Sequence, residues 1–409
     1  MSSVRSAALG FFIGAGSRGE LREEAGLSHF LEHMLFRGTD RFASAEIDQL
    51  FDAMGAELNA GTDKEGTTVY ARMLDQHLPR AFDVMADMIW RPAFNDVDPE
   101  REVVLEEIAM YEDDPQDTVF DVLGGSIFGD HPLGRPIIGR APVIRDTPVE
   151  RIAAFHARRY VPSSVVVAAA GSVDHEEIVA VAGRTLDGMR AGESAPEPEP
   201  APPLPQARVR FQAKDTEQVH VCLGGPGLPR SDERRYAVRV LDAIFGGLSS
   251  SRLFQSVREE RGLAYAVYSF SGNFTDSGQV GLYVGTRPDN LAQAMQVVGD
   301  ELGRLREQPA TEQELARARE NVKARVVLAM ESSSARMNRL GSATLYGLPL
   351  LEDDEIMARF DAVTMDDLRE LVDELWAPER LSAAGIGPSH EAFRAAVEPV
   401  CPAAEAVAA

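Results

Sequence analysis

The sequence predicts an α+β protein of two similar domains, each a sheet covered by helices. Three observations predict it. At 409 residues the chain is too long for one ordinary core and suits two domains of roughly 200 residues. The segment RAGESAPEPEPAPPLPQ, residues 190–206, divides it near the middle, because Pro at this density continues neither a helix nor a central strand and the glutamates keep it solvated. Strand–helix units then repeat across that divide, so the expected order is a domain over 1–189, a linker over 190–206 and a second domain over 207–401.

The elements follow in order. The opening MSSVRSAALGFFIGAG carries a short apolar run with polar residues directly behind it, which reads as a buried strand entering a loop and not as a signal peptide. Residues 69–89 (VYARMLDQHLPRAFDVMADMI) and 282–302 (LYVGTRPDNLAQAMQVVGDEL) each read as a strand followed by an amphipathic helix. Tyr70 matches Tyr283, Leu78 matches Leu291 and Ala81 matches Ala294. Thr147-Pro148-Val149-Glu150 reads as a capping box with Pro at the first helical position, and Thr364 with Asp367 repeats it. Those helices lead into the strands VVVAAAG (165–171) and LSAAGIG (381–387). The spacing between the copies is about 213 to 217 residues, as a duplication predicts.

Composition narrows the class. Apolar residues make up 44% and charged residues 26%, as in globular domains. No window approaches the roughly 18 uninterrupted apolar residues of a membrane span. The net charge of −24 repels phosphate backbones, so no nucleic-acid partner is expected. Cys222 and Cys401 lie far apart, which gives neither a disulfide framework nor a thiolate metal site and fits a reducing, cytoplasmic setting.

The chemistry concentrates in GLSHFLEHMLFRGT, residues 26–39. No breaker interrupts its helical pattern before Gly38, so His29 and His33, four apart, share one face and can bring two imidazoles to one ion. Glu32 stands beside them, where its carboxylate reaches a metal-bound water; this is the H-x-x-E-H signature of inverted zincins. A catalytic zinc generally takes three protein ligands and one open position, so a carboxylate on another helix is expected. PEREVVLEEIAMYEDDP, residues 99–115, offers it. Glu107 sits between Val103, Val104 and Ile108 in helical register and is expected to point inward, with Glu106 the weaker candidate. Glu100, two turns earlier on the same side, can hold a histidine through its second nitrogen.

These stretches, with ELNAGTDKEGTTVYARML, HPLGRPIIG and SSRLFQSVREERGLAYAVYS, resemble the pitrilysin/insulinase family of metallopeptidases, most of all its bacterial processing-type peptidases and the β-subunit of mitochondrial processing peptidase. The resemblance spans nearly the whole chain. It implies a clamshell of two duplicated α+β domains enclosing peptide or unfolded substrates, one zinc ion per chain on His29, His33 and Glu107, Glu32 as the base, and Glu100 in support. It further implies roles for Arg258 and Tyr265, places substrate as an added strand along Asn59 and Ala60, and suggests a homodimer. The alternative is a non-catalytic assembly subunit. The family's chains begin with about twenty more residues carrying a first strand, so either the start of this sequence is misassigned or the first sheet lacks a strand and exposes an edge. An offset of 213 puts Asp242, Phe245 and Gly246 where His29, Glu32 and His33 stand, so the second half is not expected to bind metal. FGGLSSSR (245–252) lacks the Lys-Ser/Thr pair of a phosphate loop and reads as a turn.

Overall fold

The computed structural model describes residues 1, 3–187, 189, 198–202, 206–402 and 404–406; most of the expected linker 190–206 lies outside them. The chain runs β1 (Ser6–Ile13), α1 (Leu27–Leu35), α2 (Ser44–Met54), β2 (Glu57–Thr62), β3 (Thr67–Leu74), α3 (Leu78–Trp90) and α4 (Val97–Asp113). It continues through α5 (Pro115–Phe128), α6 (Ala141–Asp146), α7 (Val149–Arg159), β4 (Val165–Gly171) and α8 (His175–Thr185). The second half holds β5 (Arg208–Ala213), β6 (Val219–Gly227), α9 (Arg235–Phe245), β7 (Ala264–Asn273), β8 (Gly278–Thr286) and α10 (Leu291–Glu307). Then come α11 (Glu312–Met330), α12 (Ser333–Leu345), α13 (Asp353–Asp361), α14 (Met365–Leu375), β9 (Ser382–Gly387), α15 (His390–Val397) and the short β10 (Glu405–Ala406).

The compact units do not coincide with contiguous halves. One comprises residues 1–110, 135–199 and 328–350; the other comprises 111–134, 200–327 and 351–409. The first unit therefore contains α12 and the second contains α5. The physical reason lies in the strands. In β1, Ala7, Leu9, Phe11 and Ile13 enter the core beneath α1 and α3, while Ala8 and Phe12 face Met337 of α12. A strand buried on both faces needs a cover on each. The contact with α12 is close: a Cβ on Gly10 would stand 2.2 Å from the Met337 sulfur. In the second unit, Val119, Leu123 and Ile127 of α5 cover Cys222, Tyr283 and Ile386 on the corresponding face.

The first sheet has the order β2-β3-β1-β4 and the second β10-β5-β9-β6-β8-β7. The strands β2, β3, β1 and β4 thus have counterparts β7, β8, β6 and β9 in the same spatial order, and all of these pairs are antiparallel. Beyond β9 the second sheet adds β5 in parallel. Among the described residues the first sheet ends at β4 on one side and β2 on the other. One local expectation fails. Thr147 does not cap α7, whose N-cap is Pro148; its hydroxyl donates to the Val143 carbonyl and closes α6. Thr364 does form its capping box with Asp367.

Candidate metal centre

The helix α1 begins at Gly26, whose φ of 102° is a left-handed conformation that suits glycine. A Cβ there would lie 2.8 Å from the Ile138 carbonyl oxygen. Gly26 offers no capping side chain, and the task passes to Glu20. Its buried carboxylate accepts the Gly26 N–H at 2.8 Å and the Ser28 N–H at 2.6 Å. Burial pushes the Glu20 carboxyl up to about 7 against the pull of those two backbone donors. The helix then sinks Leu27, Phe30, Leu31, Met34 and Leu35 into the core, which turns His29, Glu32 and His33 to the opposite side.

There the two imidazoles meet, ring centroids 4.8 Å apart, and α4 brings Glu107 to both. One carboxylate oxygen lies 3.7 Å from His29 Nε2 and the other 3.3 Å from His33 Nε2. Donors about 2.1 Å from a tetrahedral zinc stand about 3.4 Å from one another, so these spacings fit one small cation. Burial and the neighbouring His33 depress the His29 imidazole to about 4, which keeps it in the neutral form a metal requires. His29 Nδ1 is buried without a hydrogen-bond partner, leaving Nε2 as the nitrogen that is offered outward. The donor set of two neutral imidazoles and one carboxylate suits zinc.

Glu107 departs from expectation in its surroundings. Val104 and Ile108 are buried, but Val103 is 47% exposed and the Glu107 side chain is 45% exposed. Its carboxylate is directed at the histidines from the flank of α4 and does not point into the core. Glu100 is the buried one, 3% exposed, and hydrogen-bonds His33 Nδ1 at 2.8 Å. Two neighbours escaped the sequence reading. Arg37 pairs with the second oxygen of Glu100, and the Thr62 hydroxyl donates to Glu32 Oε2 at 2.5 Å. Arg37 lies two residues beyond α1, one helical turn after His33, a spacing that signals it; an edge-strand threonine carries no such signal. Desolvation raises the Glu32 carboxyl above its ordinary range, with the Thr62 hydrogen bond opposing.

Asn59 and Ala60 lie on β2, which among the described residues is an edge strand paired with β3 alone, and the Asn59 amide oxygen accepts the Ala60 N–H. Arg258 and Tyr265 belong to the other unit. Tyr265 falls at the bulge between Ala264 and Ala266, where the strand register shifts, and is 77% exposed. The Arg258 guanidinium, on the π-helical turn Phe254–Glu259, lies 4.9 Å over its ring. Bulges re-aim side chains out of a sheet.

A helix carrying H-x-x-E-H, backed by an acid-bearing second helix beside an edge strand, forms a candidate metal centre, and the chain that carries it is similar to known proteins. Residues 2–141 match the model described as Insulinase (Peptidase family M16), and residues 147–322 match the one described as Peptidase M16 inactive domain. An uncharacterized zinc protease of Streptomyces coelicolor is 41% identical over 95% of this chain and 86% of its own length. An uncharacterized zinc protease of Bacillus subtilis is 38% identical, with 95% and 94% covered. The crystal structure of a protease from Helicobacter pylori superposes with a TM-score of 0.89 at 22% identity, over 94% of each chain. The chain belongs to peptidase family M16, the pitrilysin/insulinase family.

Proposed function

We propose that this chain is a zinc-dependent endopeptidase acting on peptides or unfolded segments. The observation that carries the reading is the convergence of His29, His33 and Glu107, whose donor atoms all lie within 4.8 Å of one another, with the Glu32 carboxylate beside them on α1. All four residues fall within the stretch that matches the Insulinase description and outside the one described as inactive. The names of the relatives add zinc and proteolysis to what the donor set itself suggests.

His29 Nε2, His33 Nε2 and a Glu107 oxygen would hold one ion. When bound, zinc supplies Lewis acidity to the scissile carbonyl and lowers the pKa of the attacking water toward about 7. Glu32 takes the water proton, which its raised affinity for protons favours, and hands it to the leaving amine. Glu100 fixes the His33 tautomer so that Nε2 is the free nitrogen. The open edge of β2 at Asn59 and Ala60 aligns an extended peptide. By the family resemblance, Tyr265 donates a hydrogen bond to the carbonyl oxygen as charge grows there and Arg258 orients the peptide. The two cysteines are buried free thiols, which suits a reducing cytoplasm. Among the described residues no helix is long and apolar enough to cross a membrane. The homodimer also belongs to this reading.

The test is Glu32→Gln. The variant is expected to retain zinc and lose cleavage of a mixed peptide library by at least about 100-fold. Turnover at the wild-type rate would overturn the assignment of the base. Wild-type protein purified with less than about half an equivalent of zinc would favour a non-catalytic subunit instead.

A further inference from the structure

We infer that Thr62 is a positioning residue for the general base: its hydroxyl, braced by the hairpin that carries it, holds the Glu32 carboxylate beside the metal ligands. The inference rests on the zinc-peptidase reading above and adds to it a residue on a different element from the signature helix.

The hydroxyl of Thr62 has one proton and two oxygen neighbours. Glu32 Oε2 lies at 2.5 Å and the Thr67 hydroxyl at 3.1 Å. Thr67 directs its own proton to the Ala15 carbonyl at 2.8 Å. The shorter, charge-assisted contact therefore takes the Thr62 proton, as hydrogen bonds to carboxylates do. Thr62 and Thr67 are cross-strand partners, the last and first residues of β2 and β3, and Thr67 is fully buried. The turn between them is closed by its own groups: Asp63 Oδ1 accepts the N–H groups of Glu65 and Gly66 at 2.7 and 2.9 Å. Glu65 in turn pairs with Arg18 at 2.8 Å, both side chains nearly buried, and the Ser17 N–H donates to the Asp63 carbonyl. The hydroxyl is thus held from below by Thr67 and from the end by the Arg18–Glu65 pair.

Such bracing has a consequence for the base. Glu32 is a long side chain, and the Thr62 hydroxyl is the hydrogen-bond donor that reaches its carboxylate from another element. Left alone, the carboxylate would sample rotamers away from the ligand cluster at little cost. A single fixed donor on Oε2 selects one of them and leaves Oε1 to face the attacking water. The hydroxyl's contacts are the Glu32 carboxylate and the Thr67 hydroxyl, so its effect runs through Glu32.

Thr62→Val is nearly the same size and removes only the hydroxyl; Thr62→Ser restores it. With zinc content measured on each purified protein and hydrolysis followed on a quenched peptide, Thr62→Val is expected to hold wild-type zinc and keep KM within about twofold. Its kcat is expected to fall roughly 10- to 100-fold, as misplacement of a catalytic group does, and Thr62→Ser is expected to recover most of the loss. Wild-type kcat in Thr62→Val, a fall explained by lost zinc or by raised KM, or no recovery in Thr62→Ser would each overturn the inference alone. Zinc-loaded wild-type protein that cleaves nothing would overturn the peptidase reading and the role of Thr62 with it.

Discussion

His33 divides its two nitrogens between two acids, with Nε2 facing Glu107 and Nδ1 held by Glu100. The Glu100 bond decides which tautomer the ring adopts, and Arg37 on the other Glu100 oxygen gives that buried carboxylate a partner, since burying a charge is costly unless it is paired. Glu100→Ala is therefore expected to weaken zinc binding roughly 10- to 100-fold, measured by competition with a coloured chelator at fixed pH. Unchanged affinity would show that the ring orientation is set elsewhere. These residues differ in how far the sequence reveals them. His29, Glu32 and His33 are legible because a four-residue step on one helix fixes their common face. Glu107 was legible as to helix and number but not as to surroundings. Periodicity placed it between Val103 and Ile108 without revealing that Val103 is outside the core. Thr62 was not legible at all, since its role depends on which helix crosses the end of its strand.

At the scale of the element, α1 is a short helix with a demanding task. Nine residues carry two imidazoles and the proposed base, and the helix starts at a glycine with no side chain to cap it. At its start the N–H groups of Gly26 and Ser28 are met by Glu20, reaching from the irregular segment before the helix. Periodicity shows where a helix runs, but a cap drawn from an earlier loop leaves no periodic trace. The same limit applies to α5 and α12, because no local pattern says which sheet a helix covers. The Glu20 cap has a measurable signature. Its carboxyl is raised from 4.5 to about 7 in the folded chain, so the folded state holds a proton that the unfolded state has released between those values. Stability from this group is complete below about pH 4.5 and is lost as pH rises to about 7. Glu20→Gln is expected to lessen that decline by at most about 3 kcal/mol, read from urea unfolding at pH 5, 6 and 7.5. Parallel curves for variant and wild type would place the Glu20 titration outside this range.

At the scale of the whole chain, one plan is used twice and the H-x-x-E-H signature stands in one copy. In the second unit α9 occupies the place of α1, and each position of the signature has been given another task. Asp242, in the place of His29, accepts the Ser269 hydroxyl at 2.5 Å. Phe245, in the place of Glu32, is fully buried and packs on Trp376 with ring centroids 5.0 Å apart. Gly246, in the place of His33, passes so near β7 that a Cβ would stand 2.2 Å from the Ser269 nitrogen. An imidazole cannot be built there without moving backbone, and a carboxylate at position 245 would enter the core unpaired at a cost of several kcal/mol. At these three positions packing as well as composition leaves no room for the donor set of the first copy. His33→Ala should accordingly abolish specific zinc binding in the full-length chain, taking metal analysis of the purified protein from about one equivalent to near zero. Retention of half the wild-type content or more would reveal a second binding site and would break the division of labour between the copies.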